Sequence, residues 1–185
     1  MKRALIVIDY TVDFVVGKLP CGESAVAIEA RIAELTEAFA LAGDEVVMAV
    51  DLHHEQDPYH PESALFPPHN IEGTAGRELY GKLNDVYDRH KDRIYWMDKT
   101  RYSAFCGTDL ELRLRARGIT DIHLVGVCTD ICVLHTAVDA YNKGFRQTIH
   151  VDAVASFNAA GHEWALSHFK ETLGVNVTGL GVTEK

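Results

Sequence analysis

The feature that most limits what this chain can fold into is an alternation of short apolar, β-branched runs with helical patterns along its 185 residues. The runs fall at residues 5–8, 45–50, 94–97, 122–126, 147–151 and 175–177. Runs that are apolar almost throughout, rather than at every second position, suit strands covered on both faces. Between the first two, Ser24 is a candidate N-cap for a helix whose Val26, Ile28, Ile32, Leu35 and Phe39 share one face, with Gly43 as its stop. Further helices are expected over 109–117, 130–143 and 161–173, each followed by a glycine. This order predicts an α/β fold, a three-layer αβα sandwich around a mainly parallel sheet of about six strands, formed as one domain over 1–185.

Parallel sheets carry their sites at the C-terminal ends of strands, where loops leave for the next helix. Three polar groups fall at such ends: Asp9 after the first run, Lys99 after the third and Cys132 after the fourth. Residues 126–133, Gly-Val-Cys-Thr-Asp-Ile-Cys-Val, place Cys132 where a helix begins. Unpaired N–H groups at a helix start favour a thiolate and can hold an oxyanion, so the segment points to acyl chemistry. Asp9 is the candidate base for the Cys132 proton, and Lys99 the group that steadies the charge. Cys128, with His135, has the spacing of half a zinc site but no second cysteine pair to complete it, so its backbone N–H is expected to matter more than its sulfur.

The one long irregular stretch, 51–76, has a length that in a compact domain marks a functional or a disordered segment. Residues 51–69 hold four of the ten histidines and four of the five prolines. Asp51 and His53, two residues apart on an extended chain, project to the same side, and imidazole with carboxylate suits zinc, iron, manganese or another divalent ion. The candidate ligands are Asp51, His53, Glu62 and His69, with His54 and His60 as rivals for the place of Glu62.

A net charge of −9 without a Lys/Arg cluster argues against nucleic acid as a partner. No apolar stretch approaches the roughly 18 residues of a spanning helix, so no membrane partner is expected. The basic start and short apolar run of residues 1–9 read as a strand and not a leader, which makes the cytoplasm the expected location. Cys21, Cys106, Cys128 and Cys132 are then reduced thiols.

Taken together, these motifs resemble the nicotinamidases of the isochorismatase-like superfamily of cysteine hydrolases, and the match spans almost the whole chain. The family pattern is a strand ending in Asp, an Asp-x-His metal loop, a Lys after the third strand and a Gly-Val-small-Thr-Asp-x-Cys-Val elbow. Here it is met in order by Asp9, by Asp51 with His53, by Lys99 and by 126–133. The resemblance implies a catalytic triad of Asp9, Lys99 and Cys132, an oxyanion hole from the backbone N–H groups of Cys128 and Cys132, and a non-proline cis peptide between Val127 and Cys128. It implies one divalent metal, zinc first and iron or manganese next, that binds the ring nitrogen of nicotinamide. The ring would lie between Phe14, Phe66 and Tyr102, with Leu19 and Trp96 as weaker wall candidates.

Three departures from the pattern stand out. Thr11 occupies the place of a usual Gln, Glu62 a place where many members carry His, and Cys128 the place of a usual Ala, setting a second thiol near the nucleophile, where a disulfide could form. The expected activity is hydrolysis of nicotinamide to nicotinate and ammonia in NAD salvage, by a homo-oligomer. Another cysteine amidohydrolase of the superfamily, or a catalytically silent metal-binding scaffold, are the alternatives.

Overall fold

The computed structural model describes residues 2–179, so the expected domain limits, 1 and 185, lie outside the described residues. Each apolar run is a strand: β1 (Arg3–Ile8), β2 (Glu45–Asp51), β3 (Ile94–Lys99), β4 (Asp121–Val127), β5 (Arg146–Ala155) and β6 (Asn176–Thr178). They form one sheet in the order β3-β2-β1-β4-β5-β6, with every neighbouring pair parallel. Helices α1 (Val12–Val15), α2 (Glu23–Ala27), α3 (Glu29–Ala42), α4 (Gly81–His90), α5 (Leu110–Ala116), α6 (Leu134–Asn142) and α7 (Ala159–Glu171) connect them.

The side-chain alternation of β1 divides the interior in two. Ala4, Ile6 and Ile8 pack in a core with Leu110 and Leu114 of α5, Ala137 and Ala140 of α6, and Phe169 of α7. Leu5 and Val7 face the other core, with Ile32, Leu35 and Phe39 of α3 and Leu83 of α4. Both faces of the central strands are therefore covered, which is why their sequences are apolar without alternation. The expected three-layer αβα sandwich is the architecture observed.

Several local expectations are corrected. The first helix is two, broken at Ile28 (φ −92°, ψ 0°), and Ser24 caps neither, because its hydroxyl donates to the carbonyls of Cys21 and Ser156 instead. Gly43 does end α3, in the left-handed conformation (φ 75°) that a glycine adopts without strain. The helix expected from residue 130 opens as a π-helical turn, Thr129–Val133, and becomes α-helical only at Leu134. Strand β5 continues four residues past the expected end, to Ala155, through a register shift opposite β4. Helix α4 has no counterpart among the expected elements.

The strand order reverses direction at β1: the chain runs outward through β2 and β3, then returns to the other side of β1 with β4. A crevice forms beyond the strand ends at such a switch point. Gly126 keeps it tight, since a Cβ there would lie 2.0 Å from the carbonyl oxygen of Ile8, and its φ of 115° strains any other residue.

Candidate active site

Sheet register assembles the polar groups at the crevice. Ile8 pairs with Ala49 of β2 and Gly126 of β4, and Asp51 of β2 pairs with Lys99 of β3. Asp9, one residue past β1 with φ 54°, therefore sits level with the ends of both neighbours, and its N–H donates to Ala49 O at 3.0 Å. Lys99 Nζ lies 2.7 Å from Asp9 Oδ2, 3.6 Å from Asp51 Oδ1 and 3.7 Å from Cys132 Sγ. Asp9 Oδ1 accepts the Asp51 N–H at 2.8 Å, and the Asp9 carboxylate and the Cys132 thiol both lie against Lys99 Nζ. Asp9, Lys99 and Cys132 are thus brought together, all buried. The Val127–Cys128 peptide is cis.

Burial raises the Asp9 carboxyl to about 6, against the opposing pull of Lys99. Burial would lower the Lys99 ammonium, but Asp51 and Asp9 outweigh it, so Lys99 stays charged far above neutral pH. Cys132 corrects an expectation. Burial, reinforced by Asp9 and Asp51, pushes its thiol well above the ordinary range in spite of Lys99, so the helix start does not leave a standing thiolate. The resting pair is a neutral thiol and a carboxylate, both against the Lys99 ammonium, an arrangement for transferring the proton as the sulfur attacks.

Next to this group, Asp51, His53, Glu62 and His69 each present a ligand atom, all within 4.8 Å of one another and all buried. His53 Nε2 is 2.7 Å from Asp51 Oδ2, and His69 Nε2 lies 3.6 Å from that atom and 3.5 Å from Glu62 Oε2. His69 Nδ1 bonds Pro67 O at 2.8 Å, which fixes the ring with Nε2 toward the cluster. His69 Nε2 and Asp51 Oδ1 are buried without a hydrogen-bond partner among the described residues. Burial would lower the His69 imidazole, yet Asp51 and Glu62 push it up to about 10: the cluster demands positive charge. Two imidazoles and two carboxylates converging on orphaned atoms fit a divalent cation. The rivals do not fit. His54 is exposed and pairs with Glu72 at 3.1 Å, while both nitrogens of His60 are engaged, with Thr100 O at 2.8 Å and the Glu62 N–H at 3.2 Å.

The loop that carries Glu62 and His69 is tied to α1. Thr11, in place of the expected Gln, donates to Asn70 Oδ1 at 2.9 Å, and the Asn70 N–H donates to Asp13 Oδ2 at 2.9 Å. Arg77 secures the neighbouring strand end by donating to Asp51 O at 2.7 Å while pairing with Asp98.

Between thiol and cluster opens a small, largely apolar pocket lined by Phe14, Leu19, Glu62, Phe66, Tyr102, Cys128, Ile131, Cys132 and Phe157. Trp96 is not among them. It turns away to meet Tyr87 edge to face and donate to Asp98. Sequence reasoning missed Ile131 and Phe157; Phe157 follows β5, and the strand-end rule finds it once β5 is ended at Ala155. Cys128 lines the pocket too, but its Sγ meets Cys21 Sγ at 3.2 Å, so the thiol it contacts is not the neighbouring Cys132.

The chain belongs to the isochorismatase family: the Isochorismatase domain model matches residues 3–180. Within that family, it is 63% identical over 96% of its length, and 99% of the relative's, to the isochorismatase family protein PncA of Bacillus subtilis. The crystal structure of nicotinamidase/pyrazinamidase PncA from Bacillus subtilis superposes with a TM-score of 0.95 at 62% identity, covering 96% of this chain and 100% of that one. The pyrazinamidase/nicotinamidase of Streptococcus mutans gives 0.93 at 50% identity, covering 96% and 100%. The pyrazinamidase of Pyrococcus horikoshii in complex with zinc gives 0.85 at 30% identity, covering 97% and 100%.

Proposed function

We propose that this chain is a nicotinamidase, an amidohydrolase that converts nicotinamide to nicotinate and ammonia through a thioester on Cys132. The observation that carries the reading is the placement of one pocket between the Asp9–Lys99–Cys132 group and the four-ligand cluster, with Phe14, Phe66 and Tyr102 on its walls. The similarity to the nicotinamidase/pyrazinamidase of Bacillus subtilis and the pyrazinamidase/nicotinamidase of Streptococcus mutans supports the same substrate.

In this mechanism the Asp9 carboxylate takes the Cys132 proton as the sulfur attacks the amide carbon, and Lys99 offsets the anion that passes between them. The N–H groups of Cys128 and Cys132 hold the oxyanion of the tetrahedral adduct. Asp9 returns the proton to the leaving nitrogen, ammonia departs, and a thioester remains. Asp9 then draws a proton from water, which attacks the thioester carbon, and the carbon–sulfur bond breaks with the proton returned to Cys132. Aromatic walls hold the ring so that the carboxamide faces the thiol.

Asp51, His53, Glu62 and His69 would hold a divalent metal, zinc by the chemistry of the set and by the Pyrococcus horikoshii relative, with iron or manganese next. When bound, that ion supplies a Lewis-acidic anchor for a pyridine nitrogen. The chain acts as a single domain and a homo-oligomer, in the cytoplasm and in NAD salvage. No helix among the described residues is long and apolar enough to cross a membrane.

Ammonia release from nicotinamide, measured with and without chelation, tests the reading. Turnover that chelation abolishes is the expected result, and none with the metal-loaded protein would refute it. Benzamide, which lacks the ring nitrogen, is expected to be a poor substrate.

A further inference from the structure

Cys21 and Cys128 are the only described thiols in contact, with Sγ atoms 3.2 Å apart. They come from distant parts of the chain, the loop between α1 and α2 and the residue after β4, and the reaction described above uses neither sulfur. Cys21 is 7% exposed and Cys128 6%. A disulfide has an S–S distance of about 2.05 Å, so the two sulfurs need to approach by only about 1 Å.

We propose that Cys21 and Cys128 are a peroxide-oxidisable dithiol, and that their disulfide switches the site off while leaving Cys132 a free thiol. The first half stands on the sulfur contact alone. The second rests on the reading of Cys128 as part of the oxyanion hole.

The surroundings order the steps. Cys128 hydrogen-bonds Cys21 and holds its thiol below the usual range, helped by a backbone hydrogen bond at Phe157, while the same contact pushes Cys128 up. Cys21 is therefore the more readily ionised of the two, and its thiolate is the attacking form. It attacks the outer oxygen of a hydroperoxide, the O–O bond breaks, and an alcohol, or water from hydrogen peroxide, leaves Cys21 as a sulfenic acid. The Cys128 sulfur then attacks the Cys21 sulfur, the S–O bond breaks, and the departing hydroxide takes the Cys128 proton to leave as water. Two thiols lose two electrons, and the hydroperoxide gains them.

Closure acts on both walls of the pocket. The Cys128 carbonyl accepts from Ile131 and Val133 at 3.1 Å each, so a shift of Cys128 is carried into the turn that holds Cys132. The Cys21 N–H donates to Phe14 O at 2.8 Å, and Leu19 lies two residues away, so the aromatic wall moves as well.

The test treats the metal-loaded protein with stoichiometric hydrogen peroxide without substrate, alkylates the remaining thiols, and maps the peptides without reduction after digestion with trypsin and an Asp-directed protease. Cleavage before Asp130 separates Cys128 from Cys132. The expected map links Cys21 to Cys128 and finds Cys132 alkylated, with ammonia release from nicotinamide down at least tenfold and restored by dithiothreitol. Cys21→Ala, or Cys21→Ser should the first fold poorly, should keep its untreated activity and lose the reversible inactivation. A Cys128–Cys132 link, or Cys132 oxidised while Cys21 and Cys128 stay alkylatable, overturns the proposal, and a Cys21–Cys128 link with unchanged turnover overturns the switch. A protein that never hydrolyses nicotinamide fails the functional reading, yet the peptide map still decides the linkage.

Discussion

Asp9, Lys99 and Cys132 sit at or just beyond strand ends, whereas Glu62 and His69 reach the site from a loop with no strand of its own. Asp9 and Lys99 are placed by register, since β1 and β3 share one sheet with β2, and Cys132 by the hydrogen-bonded turn that continues β4. The second group is placed by a few side-chain ties, Thr11 to Asn70, Asp13 to the Asn70 N–H, and Pro67 O to His69. Asp51 belongs to both, as strand partner of Lys99 and as one of the four ligands. Chemistry that needs fixed proton-transfer distances rests on the rigid frame, and the ion that selects the substrate rests on an adjustable one.

The comparison is sharpest where one group can be removed without the other. Cys132→Ala should lower ammonia release from nicotinamide by about 10⁴-fold or more while metal content, measured by elemental analysis, stays unchanged. Residual turnover of a few per cent would take the nucleophile's role from Cys132. Asp51→Ala should break both groups together. It should lose the metal and cost more than the roughly 10–100-fold that follows loss of an outer partner of a metal site. Retained metal with unchanged nicotinamide affinity would remove Asp51 from the ligand set.

The same division explains what could be read without coordinates. Six apolar runs were enough for the strands, because burial on both faces writes itself into consecutive residues, and the strand-end rule then located Asp9, Lys99 and Cys132. The ligands at 51 and 53 were legible for the same reason. Other features depend on contacts between distant segments. Ser24 reads as a cap until Ser156 takes its hydroxyl, and the apolar run of β5 ends at Val151 because Asp152 interrupts it. That early stop hid Phe157. The sign of the Cys132 shift was out of reach too, since it depends on how completely burial and two carboxylates outweigh one lysine. Cys21 carried no signal at all: nothing in its neighbours announces a partner 107 residues away.

Loosening the loop alone gives a smaller effect. Thr11→Val removes the buried hydroxyl and leaves Asn70 Oδ1 without its donor, which should destabilise the fold by about 1–3 kcal/mol. Metal affinity should fall about tenfold, the scale of an outer-shell loss. The rate at which iodoacetamide modifies Cys132 should not change. A matching change in that rate would show that the loop also positions the thiol, and the division drawn above would fail.

The frame can be disturbed separately, at its histidine seam. His123 of β4 and His150 of β5 share a hydrogen bond, Nδ1 to Nε2 at 2.9 Å, with His150 buried. Burial, with help from His123, lowers His150 from 6.5 to about 4, although Asp152 opposes them; Arg31 and Arg3 lie near enough to add to the fall. Between those two values the unfolded chain binds a proton at this position that the folded chain does not, so stability rises with pH across the window and is lost as pH falls through it. After discounting for partial solvent screening, the loss between pH 6.5 and 4 is roughly 1–2 kcal/mol. His150→Gln removes the titrating group, and denaturant midpoints measured at pH 7 and pH 4.5 should differ less in the variant than in the parent. An equal difference in both would assign the acid sensitivity elsewhere. Activity at pH 7.5 should be the same in the two proteins, because the substitution leaves the strand ends in register.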